Sequence, residues 1–237
     1  VTRLVGLVSG KGGVGKTTLA VNLGTVFAAL GHDVLVVDAD LGTPNIGYHI
    51  GTHTYQATLH DVLLGKAKLK DAIFYHHPTG LKFVPGHTAL YKGRTVPTLA
   101  LKKLRELLEG TSPVAFIDCP SGVRDDVATI ISQLHDCIAV TTADLPSVMD
   151  TLKTLKLARD HGVIVRGVVL NRVRGHEHEM QRKQIESLLE SKILGVILEH
   201  PVFIESLKVA VPVSALYPAS QPALAVKALA HALSGHG

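Results

Sequence analysis

The chain reads as an α/β protein, doubly wound, with a mostly parallel sheet covered by helices on both faces. Three observations predict it. Short β-branched runs alternate with longer helical patterns along all 237 residues, which is the rhythm of β-α units. The runs are almost wholly apolar instead of alternating apolar with polar, as strands buried on both faces must be. The first of them, in VTRLVGLVSG, leads straight into a glycine-rich turn and then an apolar, helix-forming stretch.

In chain order, strands are predicted at residues 4–8, 34–37, 81–84, 114–117, 138–141, 163–170 and 196–198. Between and after them, helices are predicted to begin near Lys16, Thr58, Pro97, Arg124, Pro146, Glu177, Val202 and Gln221. Several starts are signposted: Thr95 with Pro97, Asp144 with Pro146, and Ser220 with Pro222 each pair a capping residue with a proline suited to the first turn. Neither a repeat, a low-complexity tract nor a linker divides the chain, so residues 1–237 are expected to form one domain. The apolar runs are far shorter than the roughly 20 residues that cross a bilayer. The N-terminal run reads as a strand, without the pattern of a signal peptide. With only two cysteines, the expected compartment is the cytoplasm. Cys119 and Cys137 lie in or beside strand-like runs, outside any CxxC or Cys/His spacing, and read as small buried hydrophobes.

The net charge is +4, and nine Lys/Arg against five Asp/Glu between Lys153 and Lys192 account for all of it. A solvated helix face and a surface for an anionic partner both fit that bias.

In open parallel sheets, ligands bind beyond the carboxyl ends of the strands. Residues 10–17, GKGGVGKT, fit G-x-x-x-x-G-K-S/T between a predicted strand and a predicted helix. Glycine lets the backbone approach a ligand closely and turn successive N–H groups toward phosphate oxygens. The helix that follows offers its positive dipole end. Gly10, Gly12, Gly13, Val14, Gly15, Thr17 and Thr18 would cradle the phosphates. Lys16 would reach the β- and γ-phosphates, and the Thr17 hydroxyl would serve Mg²⁺. Three aspartates end predicted strands: Asp38 and Asp40 in VLVVDAD, and Asp118 in VAFID. A carboxylate there can hold a Mg²⁺-bound water, orient an attacking one or cap the next element. Asp38 and Asp40, two apart, would project to one face of a continuing strand.

KGGVGKTT resembles the deviant Walker A loop of the MinD/ParA family of P-loop ATPases, and VDADLGTPN and IDCPSG resemble its switch I and Walker B segments. TTADLPSVMDTLK, GVVLNRV and LEHPVFIESLKVAVPV are similar, in order and spacing, to the family's remaining blocks, and the likeness is greatest to the archaeal MinD type. The resemblance implies the P-loop NTPase fold, ATP and Mg²⁺ as cofactors, and a homodimer formed on ATP. It implies that Lys11 reaches across the dimer to phosphates held by the other subunit, an arrangement that explains a second lysine at the front of the loop. It further implies that Asp40 positions the attacking water, that Asp38 and Asp118 serve the magnesium shell, that Asn171 and Arg172 hold the adenine, and that Pro201 flanks the base. Asn45 matches a switch I position at the dimer interface. The implied function is a switch ATPase that hydrolyses ATP slowly and positions something in the cell, such as a division site, with a regulatory or cargo protein as partner. A ParA-like partition ATPase that binds DNA is the alternative. A metabolic use, as in the nitrogenase iron protein, needs cluster-bearing cysteines at the interface, and Cys119 and Cys137 do not resemble those.

Some signals lead elsewhere. In GHEHE, His176 and His178 would point about 200° apart on a helix, so a solvated helix start is expected there. Ser121 lacks the G-x-S-x-G setting of a nucleophile. The C-terminal ALAVKALAHALSGHG has one lysine and no aromatic residue, weak on both counts for an interfacial helix. Val226, Leu229 and Leu233 read as a stripe packed on the sheet, and membrane binding is not assumed. Pro44 in switch I departs from the bacterial pattern, which leaves partner contacts of that segment open.

Overall fold

The computed structural model describes residues 1–87 and 96–235. Among them eight strands form one sheet: β1 (Arg3–Val8), β2 (Val34–Asp38), β3 (Phe74–His76), β4 (Leu81–Val84), β5 (Val114–Asp118), β6 (Asp136–Thr141), β7 (Ile164–Val173) and β8 (Ile193–Leu198). Their order is β3-β4-β2-β5-β1-β6-β7-β8. Every pairing is parallel except that of β3 with β4. The predicted strands are all present, and β3 is the addition. Three residues at the sheet edge, with only His76 buried, leave too little apolar pattern to read.

The helices are α1 (Lys16–Ala29), α2 (Ile46–Ile50), α3 (Leu59–Leu63), α4 (Thr98–Leu101), α5 (Leu104–Leu108), α6 (Asp125–Ile131), α7 (Leu145–Asp160), α8 (Arg182–Leu189), α9 (Val202–Val209), α10 (Val213–Leu216) and α11 (Gln221–Ser234). Successive strand residues face opposite layers. Leu35, Val37, Ala115 and Ile117 join a core with residues of α3, α5, α6, α7 and α8, while Val34, Val36 and Phe116 join one with α1, α2 and α11. Two covered faces explain why the strands carry no polar alternation. Phe27 of α1 meets Phe116 edge-on, ring centroids 5.1 Å apart. The stripe of Val226, Leu229 and Leu233 on α11 packs into that second core, as its spacing predicts.

The start signals mostly hold. Asp144 caps α7 by accepting from the Ser147 N–H at 3.0 Å, and Ser220 caps α11. Thr95, paired with Pro97 in the sequence reading, lies outside the described residues. The helix expected near Glu177 begins instead at Arg182, behind a capping box of Gln181 and Gln184. The Glu179 carboxylate accepts the N–H groups of Arg174 and Gly175, both at 2.8 Å, and so closes a turn where a helix start was expected. Among the described residues no group of three or more His, Cys, Asp or Glu gathers to hold a metal, and no helix is long and apolar enough to cross a membrane.

Cys119 and Cys137 are free and buried. Burial pushes both thiols up, that of Cys137 to about 12. All five arginines of the basic stretch are engaged: Arg159 donates to the Leu189 carbonyl, Arg166 pairs with Asp136, Arg172 and Arg174 with Glu199, and Arg182 with Glu186.

Candidate nucleotide-binding site

The loop between β1 and α1 sits at the middle of the sheet, because β1 lies between β5 and β6. Its glycines are dictated by space. A Cβ on Gly10 would stand 2.1 Å from the Asp150 backbone, and one on Gly15, at φ +93°, would stand 2.3 Å from Asn171 Nδ2. Gly12 and Gly13, by contrast, face open space. Among the described residues no side chain caps the N-terminus of α1, so its first N–H groups keep their capacity for an anion.

Lys16 is buried, 7% exposed, and its Nζ donates to Ser121 Oγ at 2.7 Å. Thr17 Oγ1 donates to Asp118 Oδ2 at 2.6 Å. Lys11 is exposed and lines a cleft of about 450 Å³ with Thr142, Asp144, Arg174, His176 and His178. Thr18 stands half-buried on the first turn of α1, and its carbonyl accepts from Asn22 Nδ2.

The carboxylates meet through sheet register. Asp38 ends β2, Asp118 ends β5, and the two are paired neighbours across those strands. Asp38 Oδ2 accepts from the N–H groups of Asn45 and Ile46 at 2.9 and 3.0 Å, holding the start of α2. Its other oxygen, like Asp118 Oδ1, is buried with no hydrogen-bond partner in the described chain. Burial pushes the Asp118 carboxyl up to about 6, against the Thr17 bond and the Lys16 charge, with Asp40 adding to the rise. Burial first, then the neighbouring Asp118 charge, lifts Asp38 well above the usual carboxylate range. Two adjoining buried carboxylates with orphaned oxygens, beside a threonine hydroxyl and a phosphate loop, fit a hard divalent cation that keeps several waters. Thr17, Asp118 and Asp38 are the residues that would serve it.

Asp40 arrives differently from the expectation. β2 stops at Asp38, the chain turns, and Asp40 Oδ1 accepts from the Thr43 N–H at 3.1 Å. Asp40 is half-exposed where Asp38 is buried. The two do not share the face of a continuing strand, although the Asp40 charge still acts on both buried carboxyls. Asn45 is exposed in the same turn, its Nδ2 donating to the Thr43 carbonyl.

At the end of β7, Asn171 is buried and its Nδ2 donates to the Val14 carbonyl at 2.7 Å. Arg172, in the left-handed region at φ +56°, donates to the Gly13 carbonyl at 3.0 Å and to Glu199 at 2.9 Å. Both side chains are thus fastened to the phosphate loop itself. Pro201 precedes α9 on the exposed rim past β8. From the sequence, Ser121 is weighed only as a nucleophile and set aside, and Ser9 and Glu199 are given no role. For Ser121 the available signal was its place three residues past Asp118; for Glu199 only the fold brings it to Arg172.

A family model described as the CobQ/CobB/MinD/ParA nucleotide binding domain matches residues 5–213. The chain belongs to this family. A relative described as an uncharacterized ATP-binding protein of Methanocaldococcus jannaschii is 33% identical over 231 residues, covering 98% of this chain and 87% of its own. The septum site-determining protein MinD of Pyrococcus horikoshii, solved with Mg-ADP, is 31% identical and superposes with a TM-score of 0.91, covering 98% and 96% of the two chains. The cell division ATPase MinD of Pyrococcus furiosus, 28% identical, gives a TM-score of 0.92 over 99% of each chain. The doubly wound, mostly parallel sheet of this CobQ/CobB/MinD/ParA member is therefore the MinD-type P-loop fold.

Proposed function

We propose that this chain is a MinD-type switch ATPase, which binds ATP with Mg²⁺, pairs face to face with a second copy, hydrolyses the nucleotide slowly and then separates. The cycle would control placement of a cellular structure, a division site or similar, through a regulatory or cargo protein. One observation carries the reading. Lys16 and the Thr17–Asp118 pair stand ready inside the site, while the second lysine, Lys11, is exposed on the rim and open to another molecule.

The geometry and the family resemblance together support a division of labour. Main-chain N–H groups from Gly12 to Lys16 would hold the phosphates, and the Lys16 ammonium would pass from Ser121 to the β- and γ-oxygens. Thr17, Asp118 and Asp38 would hold a magnesium ion, which would supply charge neutralisation for the phosphates. Asp40, loosely held in its turn, would orient the attacking water, and Asn171, Arg172 and Pro201 would border the adenine. Lys11 from the second copy would neutralise charge developing on the terminal phosphate, as an arginine finger does elsewhere.

Light scattering with and without ATP tests the reading. The wild-type chain should dimerise on ATP, and Lys11→Ala should bind ATP by calorimetry yet stay monomeric. An ATP-dependent dimer of Lys11→Ala would refute the trans role. The DNA-partition alternative draws on the basic stretch, whose five arginines are all engaged within the chain.

A further inference from the structure

We propose that Ser121, oriented by Ser9, holds the Lys16 ammonium in the nucleotide-free protein and competes with phosphate for it, so that it tunes nucleotide affinity as a positioning residue. This rests on the nucleotide-site reading above.

Lys16 is only 7% exposed as a residue, and an ammonium on so buried a residue needs polar company. It is given Ser121 Oγ at 2.7 Å, from the loop that follows Asp118. The serine is not there by accident of rotamer. The Gly122 N–H donates to the Ser9 carbonyl at 3.0 Å, which stitches the loop after β5 to the loop after β1. Gly122 takes φ +92° to do so, a backbone state suited to glycine. Ser9 is fully buried. Its hydroxyl donates to the Lys11 carbonyl at 2.8 Å, and its oxygen lies 3.3 Å from Ser121 Oγ.

A hydroxyl carries one proton and two lone pairs. With the Ser9 proton on Lys11, the Ser121 proton is left to face Ser9. The Ser121 lone pairs then turn toward Lys16 as acceptors. A charged phosphate oxygen is a stronger acceptor for an ammonium than a neutral hydroxyl is. Arriving nucleotide therefore draws Lys16 away, but it has to break a hydrogen bond to a charged group first. That bond lowers affinity by holding the free state.

Removing it should tighten binding. Calorimetry with MgADP, which is not turned over, should find Ser121→Ala binding about tenfold tighter than wild type, on the scale of one hydrogen bond to a charged group. Ser121→Thr, which keeps the hydroxyl, should bind like wild type. Without nucleotide, denaturant unfolding of Ser121→Ala, Lys16→Ala and the double variant should be non-additive by about tenfold in the folding equilibrium constant. Unchanged or weaker MgADP binding by Ser121→Ala, or an additive cycle, overturns the inference and leaves the nucleotide-site reading standing. Failure of the wild-type chain to take MgADP fells that reading instead, and the unfolding cycle then decides the Lys16–Ser121 hold by itself.

Discussion

Asp118 shows how a single residue can be kept out of its comfort for a purpose. Its carboxyl is buried at the end of β5 beside Asp38, with one oxygen on Thr17 and the other without a partner. In the folded protein it gives up its proton near pH 6, whereas the ordinary value is 3.8. Between those values the folded state holds more protons than the unfolded one, so this group lowers stability as pH rises. Asp118→Asn removes the ionisation while keeping an oxygen for Thr17. The nucleotide-free variant should be about 1–3 kcal/mol more stable than wild type at pH 7.5. The gap should close as pH falls through about 6 toward 4. Denaturant midpoints across that range measure it; a gap that stays constant with pH would remove the titration argument. The same group should make MgATP binding strengthen as pH rises through about 6, because the cation needs the carboxylate.

At the scale of elements, the end of β7 acts as a clasp on the loop before α1. Asn171 grips the Val14 carbonyl and Arg172 the Gly13 carbonyl, and Glu199, just past β8, steadies Arg172 and Arg174 together. Bonds from Arg174 and then Arg172 draw the Glu199 carboxyl down to about 2. These charges are exposed, so the clasp contributes little to folding. Its use is to shape the phosphate loop. Arg172→Gly relieves the left-handed backbone strain while it deletes the guanidinium. Folding stability should stay within about 1 kcal/mol of wild type, while ATP affinity falls roughly tenfold. Calorimetry beside thermal unfolding separates the two, and a variant that loses both or neither would contradict a clasp of this kind.

For the molecule as a whole, the sheet serves to bring the ends of β1, β2 and β5 together, with Lys11 exposed beside them. If Asp40 orients the water and not the nucleotide, Asp40→Ala should bind ATP normally, release phosphate at less than about a hundredth of the wild-type rate and persist as an ATP dimer. Phosphate release at the wild-type rate would take Asp40 out of that role. Much of this was legible along the chain. Local pattern determined the strands, the capped helices, the loop of residues 10–17 and the aspartates at strand ends, because each depends on neighbours a few residues away. The missed elements β3, α2, α5 and α10 are three to five residues long, too short for a period to show. Where a helix start was expected, the Glu179 carboxylate instead closes a turn by accepting the Arg174 and Gly175 N–H groups. Sequence by itself determined which chemical groups this protein carries and which elements carry them. Only the tertiary structure decided that Asp38 faces Asp118, that Ser121 receives Lys16 and that Glu199 reaches Arg172. Such pairings come from strand order and register, which bring together residues from 27 to 105 positions apart, and no local pattern encodes that.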